Sequence, residues 1–442
     1  MRSARSHVIA STIALACWTN VMHVAVAQTP AAPSGAQLTP AQCLADVRAF
    51  TTKRQTELRP LTTEKIMALN AERTTMIKEC AAKFDINTVA PKDLSSLADL
   101  YADAGMLDMA NAAVAKAMAG SNLATSERAQ FLLQSLRLML REPKGDERNA
   151  RLEKLVDQLD ALPDADAFDQ KFNAHYAMNG FYRADDIDAG IINHSTWLIE
   201  TGAALSPEMR RKYGRLMVSA YINMAEAWAG QGMNDKAIAL LKRAPSDWPE
   251  VPTAADSIKP TLDRYLLVGT QATPITAPTW LNLLNGAPGP ASVDMKGHVT
   301  LLEFTAHWCG PCKESYPGIN RLRERFGSKG FRVVLATRLY GYFQAEQNLD
   351  APTEIARDKT YFAEHHLDVP VGISDRVIPV LKDGVVTYTT GPDPNDTAYR
   401  VGGIPQIHLI DKQGRIRLIM VGYDDANEPK LAKFIEGLLS EK

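Results

Sequence analysis

The chain has 442 residues, of which 45% are hydrophobic and 23% are charged, and its formal net charge is −2 at pH 7. That length exceeds an ordinary single domain and predicts two or three domains with real apolar cores. The balanced charge gives no indication of an electrostatic partner such as nucleic acid, and the composition excludes a disordered or low-complexity chain.

The first 27 residues have the layout of a secretory signal peptide. Two arginines supply a positive start, residues 8–18 form a short apolar run, and Ala25-Val26-Ala27 supply small residues at a cleavage site. The apolar run is too short to cross about 30 Å of hydrocarbon. We therefore predict export to the periplasm or beyond, with cleavage near Ala27 and a flexible Pro/Ala/Gly/Ser-rich lead-in over residues 28–39.

Residues 40–265 predict an all-helical domain, because Ala, Leu, Met, Lys and Glu dominate and strand-like alternation is scarce. The first two helices, over 40–58 and 61–84, should form a hairpin. Pro60 marks the break between them, since proline disfavours helix at the residue before it.

The cysteines divide into two pairs. Of the five in the chain, Cys17 lies in the signal peptide, which leaves an even number in an oxidising compartment. Cys43 lies 17 residues before Pro60 and Cys80 lies 20 residues after it. Antiparallel helices that rise 1.5 Å per residue bring the two abreast, and bridging needs Cα atoms within about 7 Å. We expect a structural Cys43–Cys80 disulfide, with two buried free thiols as the alternative.

Two later segments share one spacing of small and aromatic residues, with a glycine at the turn. The shared positions are Ala98, Tyr101, Gly105, Ala110 and Ala117 in the first, and Ala225, Trp228, Gly232, Ala237 and Ala244 in the second. The pattern resembles the tetratricopeptide helix-turn-helix repeat, although the two segments are 127 residues apart, which is not a multiple of that repeat's length of about 34 residues. The resemblance implies degenerate helical hairpins that either bind a partner or form a purely structural bundle.

Residues 245–274 contain five prolines, which interrupt the helical pattern. We therefore place the domain boundary near residue 270. Beyond it, an apolar strand ending at Phe304 runs through a tight turn into a helix, and the turn carries Cys309-Gly310-Pro311-Cys312. A Cys-x-x-Cys pair also occurs in zinc sites, but a tetrahedral site needs two more ligands. Only His307 is near, so we expect no metal and no other cofactor.

A redox reaction would assign a chemical role to Cys309, Cys312 and Glu303. A cysteine at the start of a helix meets unpaired N–H groups and the positive end of the dipole, which lower its pKa. Cys309 would attack a substrate disulfide, and Cys312 would resolve the mixed disulfide. Glu303, six residues before Cys309 on the apolar strand, would be desolvated and act as the general base for Cys312. The alternative is that Glu303 points outward from an alternating strand.

Trp308-Cys309-Gly310-Pro311-Cys312-Lys313 resembles the thioredoxin active site. Pro317 matches the helix-kinking proline of that family, Glu303 stands at the place of its buried aspartate, and Gly402-Gly403-Ile404-Pro405 resembles its cis-proline loop. The resemblance implies that Trp308, Gly310 and Pro311 border the substrate. It also implies that Ile404 offers its backbone to an extended substrate while Pro405 packs against the redox pair.

The layout of residues 272–442 resembles the extracytoplasmic TlpA/ResA-type reductases more than classical thioredoxin. Ala277–Trp280 looks like their opening strand, and residues 352–366 and 369–373 look like their inserted helix and strand. The implied fold is an α/β thioredoxin-like domain, with a central mixed sheet flanked by helices and a final β-hairpin and helix. The all-α helical-hairpin domain over residues 40–265 precedes it.

The prediction is a thiol–disulfide oxidoreductase that reduces disulfide-bearing proteins and draws electrons from a membrane donor. A second hypothesis is a helical protein-binding module that carries an accessory redox domain. A thiol peroxidase is less consistent with the sequence, because the residues before Cys309 do not match the Pro-x-x-x-Thr-x-x-Cys pattern of that class: Ala306 stands at the threonine position. No nucleic-acid partner is expected.

Overall fold

The structure is a computed structural model that describes residues 38–59, 63–120, 123–184, 187–283, 291–377, 379–382, 385–388, 392–423 and 427–441. The predicted signal peptide, nearly all of the lead-in and Pro60 lie outside these residues. Within them, none of the helices combines the length and the apolar character needed to cross a bilayer. The chain forms two compact units, one up to residue 120 and one from residue 121.

The first unit consists of paired helices: α1 Pro40–Glu57, α2 Thr63–Ala81, α3 Leu94–Asp103 and α4 Leu107–Met118. Helix α1 begins at Pro40 because Thr39 accepts a hydrogen bond from the Gln42 N–H and proline suits the first helical position. Helices α1 and α2 form the expected hairpin. Cys43 and Cys80 are buried between them and joined by a disulfide, with Cα atoms 6.1 Å apart.

The second unit begins with seven helices: α5 Thr125–Met139, α6 Asp146–Asp160, α7 Asp164–Ala184, α8 Asp188–Ala203, α9 Pro207–Gly230, α10 Asn234–Asp247 and α11 Ala254–Tyr265. The shared spacing seen in the sequence corresponds to one turn geometry. Gly105 between α3 and α4 and Gly232 between α9 and α10 have φ of 79° and 80°. Only glycine adopts this region without a steric penalty, so both hairpins turn the same way.

The strands and remaining helices follow. The strands are β1 Ile275–Ala277, β2 Thr279–Leu281, β3 Ala291–Val293, β4 Val299–Phe304, β5 Phe331–Arg338, β6 Tyr342–Phe343, β7 Glu346–Gln347, β8 Val371–Ser374, β9 Pro379–Lys382, β10 Val385–Tyr388, β11 Gln406–Ile410 and β12 Ile416–Val421. The helices are α12 Gly310–Phe326, α13 Ala351–Glu364, α14 Pro394–Ala398 and α15 Asn427–Ser440.

A six-stranded mixed sheet in the order β12-β11-β4-β5-β8-β2 forms the centre of this part. Strands β4, β5 and β8 are parallel, and the other three join antiparallel. The topology confirms the predicted thioredoxin-like fold, with β11 and β12 as the final hairpin. Strand β4 is buried along its whole length, as expected of a central strand covered on both faces.

The two faces of the sheet belong to different hydrophobic cores. One face, including Leu301 and Val333, shares a hydrophobic core with α12, α13 and α15. The other, including Leu302 and Val334, shares a core with Trp248 and other apolar residues of α7 to α11. The predicted boundary near residue 270 therefore separates helix from strand along the chain, while apolar residues of the second unit's helices still share a core with one face of the sheet.

Candidate active site

Cys309 and Cys312 lie where β4 ends and α12 begins. They are joined by a disulfide with Cα atoms 5.2 Å apart. Cys309 is the N-cap of α12, and its Sγ accepts a hydrogen bond from the Cys312 N–H at 3.2 Å. The structure thus holds the oxidised pair. After reduction, a thiolate at Cys309 would face the positive end of a 17-residue helix, a position that lowers a cysteine pKa.

Access to the pair comes from one side. Cys309 and Cys312 are nearly fully buried, whereas Trp308, Gly310 and Pro311 next to them are exposed. The Trp308 side chain is 47% exposed and stands edge-on to Tyr340, with ring centroids 5.5 Å apart. An exposed indole beside a disulfide offers apolar surface to an approaching polypeptide.

Glu303 points into the interior rather than outward. Its side chain is fully buried, and burial raises its pKa to about 8. The Ser315 hydroxyl lies 3.2 Å from each carboxyl oxygen and 2.7 Å from the Cys312 carbonyl oxygen. Hydrogen bonds from Ser315 and Thr305 to Glu303 offset only part of the desolvation. A carboxyl that titrates near neutral pH therefore lies one side chain away from the Cys312 turn.

The loop before β11 brings Pro405 to the same end of the sheet. The Ile404–Pro405 peptide bond is cis. Two hydrogen bonds hold the loop: the Gly422 N–H donates to the Pro405 carbonyl at 2.8 Å, and the Gly402 N–H donates to the Gln406 side chain at 3.2 Å. Ile404 is half-buried, so it borders solvent beside the redox pair.

Arg264 of α11 reaches this loop from the helical segment, which the sequence did not indicate. It is 6% exposed, and a Cβ built at Gly402 would lie 2.8 Å from its Nη2. Its Nε has no hydrogen-bond partner among the described residues, and its Nη1 lies 3.8 Å from Glu226 of α9. A helix some 140 residues away in sequence therefore supports the cis-proline loop, a contact that no local pattern can reveal.

His307 lies in an aromatic cluster formed by Tyr340, Tyr342 and Phe343, with ring centroids 4.9–5.6 Å from it. Burial, with a smaller contribution from Lys313, lowers its pKa to about 4. It is therefore neutral at pH 7, and its Nε2 has no hydrogen-bond partner among the described residues. In the part of the chain that the structure describes, no group of three or more His, Cys, Asp or Glu side chains converges to hold a metal ion.

A cavity of about 230 Å³ opens beside the exposed indole. Trp308, Tyr340 and Ile404 line it together with an ion pair between Arg338 and Asp396, whose atoms are 2.6 Å apart. Burial and the neighbouring Asp393 raise the pKa of Asp396 to about 6. The cavity places charged groups within reach of whatever occupies the cis-proline loop.

Comparison with known proteins agrees with this geometry. Residues 268–435 match the family model described as Redoxin. This part of the chain is therefore similar to Redoxin proteins. Over 130 residues this chain is 29% identical to a thiol-disulfide oxidoreductase ResA of Bacillus cereus, an alignment that covers 29% of this chain and 58% of that protein. The protein of the same name from Oceanobacillus iheyensis is 28% identical over 129 residues, which cover 29% of this chain and 52% of that one.

The chain thus spans just over half the length of these curated relatives. Solved structures similar to part of this chain include a thiol-disulfide isomerase from Corynebacterium glutamicum, with 21% identity and a TM-score of 0.27. That match covers 39% of this chain and 98% of the other. A thioredoxin family thiol:disulfide interchange protein from Chlorobium tepidum TLS has 19% identity and a TM-score of 0.27, with 39% and 97% covered.

The structure brings together all the site residues predicted from the sequence between residues 272 and 442. Cys309, Cys312 and Glu303 converge at the carboxyl end of β4, and Pro405 lies at the same sheet end because β11 pairs with β4 there. Trp308, Gly310, Pro311 and Ile404 surround them at the surface. The disulfide between Cys43 and Cys80 lies in the other compact unit.

Proposed function

We propose that the chain is a thiol–disulfide oxidoreductase that reduces disulfides in protein substrates through Cys309 and Cys312. The observation that carries the proposal is the buried disulfide at the start of α12 beside a carboxyl, Glu303, whose pKa burial raises to about 8. The likeness of residues 268–435 to Redoxin proteins and to ResA supports it.

The first step uses the reduced protein. The Cys309 thiolate attacks one sulfur of the substrate disulfide, a Cys309–substrate disulfide forms, and the other substrate sulfur leaves as a thiolate that takes up a proton. The exposed Trp308 and the half-buried Ile404 flank the path to Cys309. Both would hold the substrate segment beside the nucleophile.

The second step frees the substrate. Glu303 takes the proton of the Cys312 thiol, and the Cys312 thiolate attacks the Cys309 sulfur and expels the second substrate thiolate. Two electrons pass to the substrate, and the pair ends as the disulfide seen in the structure. A base with a pKa of about 8 suits a thiol whose ordinary pKa is about 8.5, because proton transfer is efficient between groups of matched pKa.

The remaining assignments concern the setting of this reaction. A signal peptide over residues 1–27 would deliver the protein to the periplasm or outside the cell, where a reductase needs a donor dithiol, which we expect on a membrane protein. We assign residues 40–265 as a tetratricopeptide-like helical domain and residues 272–442 as the redox domain. The common turn geometry of the hairpins at Gly105 and Gly232 supports the helical assignment.

The test is the reduction potential of the Cys309/Cys312 pair in the purified mature chain, with Cys309→Ser as the control that cannot titrate. A value near about −270 mV, the thioredoxin end of the scale, fits a reductase. A value near about −120 mV would reverse the direction and make the chain a disulfide donor. Failure of the pair to titrate would remove the catalytic proposal and leave partner binding by the helices as the remaining candidate.

A further inference from the structure

A second and larger cleft lies where the helices of the second unit meet the edge of the sheet. It has a volume of about 350 Å³. One wall comes from α8 and α9, with Asp188, Glu226 and Ala227. The other comes from β12, with Ile419 to Val421, and from Glu314 on α12. The volume is within the range of sites that bind ligands or peptide segments.

This cleft lies next to the cis-proline loop of the proposed redox site. Val421 pairs with Gln406, which in turn pairs with Phe304 at the end of β4. The next residue, Gly422, donates its N–H to the Pro405 carbonyl. Glu314 is two residues beyond Cys312 on the same helix. A polypeptide that crosses the cis-proline loop would therefore continue directly into the cleft.

The β12 wall of the cleft includes the outer edge of the sheet. Strand β12 is the edge strand next to β11. The segment before β1 bonds to that edge only at Ile416, through Gly269 and Thr270. Among the residues that the structure describes, no backbone bond from another segment covers the outer edge between Leu418 and Val421. An edge left open in this way can accept an extended chain as a further strand.

The charges of the cleft indicate what kind of chain it takes. Asp188 pairs with Lys430 at 2.9 Å, and Glu226 pairs with Arg183 at 2.8 Å. Glu314 is exposed and forms no ion pair or hydrogen bond within the described parts of the chain. Lys144 also lines the cleft and is engaged in an interaction of its own. Glu314 is therefore the acidic residue of the described lining that is left to attract a basic residue of an incoming chain.

We infer that this cleft docks the stretch of substrate polypeptide that adjoins the reducible disulfide, and that it prefers a stretch carrying Lys or Arg. The inference rests on the proposed reductase function and extends it by naming the substrate class. In this arrangement the substrate disulfide lies over Cys309, its chain crosses Ile404 and Pro405, and the continuing segment lies along β12 with a basic side chain near Glu314. The helices of the second unit then serve as a wall of the substrate site.

The experiment uses the pre-reduced full chain in single-turnover reactions. The substrates are three peptides with one intramolecular disulfide, flanked by Lys, Gln or Glu, and a small uncharged disulfide that cannot reach the cleft. The wild type should react about three- to fivefold faster with the Lys peptide than with the Glu peptide at low salt, the effect of one exposed ion pair. Glu314→Gln should abolish this preference and Glu314→Lys should reverse it, while all variants reduce the small disulfide at the wild-type rate.

The matched control is Glu324→Gln, an exposed carboxylate on the same helix that does not line the cleft. It should retain the preference for the Lys peptide. A second variant, Val421→Trp, occupies the cleft mouth and should slow all three peptides without affecting the small disulfide. If Glu314→Gln and Val421→Trp both react with the peptides as the wild type does, the docking inference is wrong. If the wild type fails to reduce even the small disulfide, the reductase proposal itself fails.

Discussion

Replacing Glu303 with glutamine tests two effects of this carboxyl: its pH-dependent effect on the stability of the fold and its role as the base for Cys312. The side chain is fully buried and its pKa is raised from 4.5 to about 8. A group whose folded pKa lies above its unfolded pKa stabilises the fold below the unfolded value and loses that contribution as the pH rises through the folded value. The free energy of unfolding should therefore fall between about pH 4.5 and pH 8. Glutamine has the same shape, still accepts from Ser315 and does not titrate.

The size of the effect follows from the interval between the two pKa values. At about 1.4 kcal/mol per pH unit, the interval from 4.5 to about 8 corresponds to about 5 kcal/mol at high pH. Between pH 5 and pH 8 most of it is lost, about 3–4 kcal/mol. Glu303→Gln should thus match the wild type near pH 5 and be more stable by about that amount at pH 8. The same variant lacks the base for Cys312, so release of the substrate from Cys309 should slow by about a hundredfold or more.

Two measurements on the oxidised protein and one on the reduced protein test this reasoning. Calorimetric unfolding of wild type and Glu303→Gln from pH 5 to pH 8 gives the difference in stability. The carboxyl carbonyl band in infrared difference spectra between the two proteins gives the titration midpoint of Glu303 directly. Single-turnover decay of the mixed disulfide gives the resolving rate. A midpoint near 4.5, or a stability difference that does not change with pH, would refute desolvation as the dominant influence on Glu303.

Four further results are expected. Cys312→Ser should accumulate a covalent Cys309–substrate adduct on non-reducing gels, and free substrate in its place would argue against the order of attack. Burial lowers the pKa of His408 to about 3, so the neutral histidine of the folded wild type must take up a proton on unfolding below about pH 6.5. In thermal unfolding, His408→Gln should therefore become more stable relative to the wild type as the pH falls below about 6.5. Plots of stability against pH that run parallel for the two proteins would contradict this. Joint Cys43→Ser and Cys80→Ser changes should lower the unfolding free energy by about 4 kcal/mol, from the closed loop of 37 residues, with the redox rate as an unaffected control. Arg264→Met should raise KM for peptide disulfides and leave the reduction potential of the Cys309/Cys312 pair unchanged. A shift in the reduction potential with no change in KM would disprove the positioning role of Arg264.

Local sequence accounts for the chemistry of the site. The turn that carries Cys309 and Cys312, the apolar strand before it and the helix after it lie next to one another in the chain, and their spacing alone predicts a redox pair at a helix start. The position of Pro60 was also sufficient to predict the hairpin that brings Cys43 and Cys80 together. The helical rise per residue converts the number of residues between Pro60 and each cysteine into a distance along each helix. The burial of Glu303 could be predicted for a similar reason, since a continuous apolar run indicates a strand covered on both faces.

Other features depend on contacts between distant segments, which a sequence pattern does not encode. The approach of Arg264 to Gly402, the paired charges of the cleft at Glu226 and Asp188, and the aromatic cluster around His307 all join elements that are separated in the chain. Periodicity reports which side of a helix is apolar but not which surface it meets. The sequence by itself determined the reaction centre, because that chemistry is local. Only the tertiary structure decided that helices of the second unit pack against one face of the sheet and line a cleft beside the cis-proline loop, because burial of one face against another is a property of the folded whole.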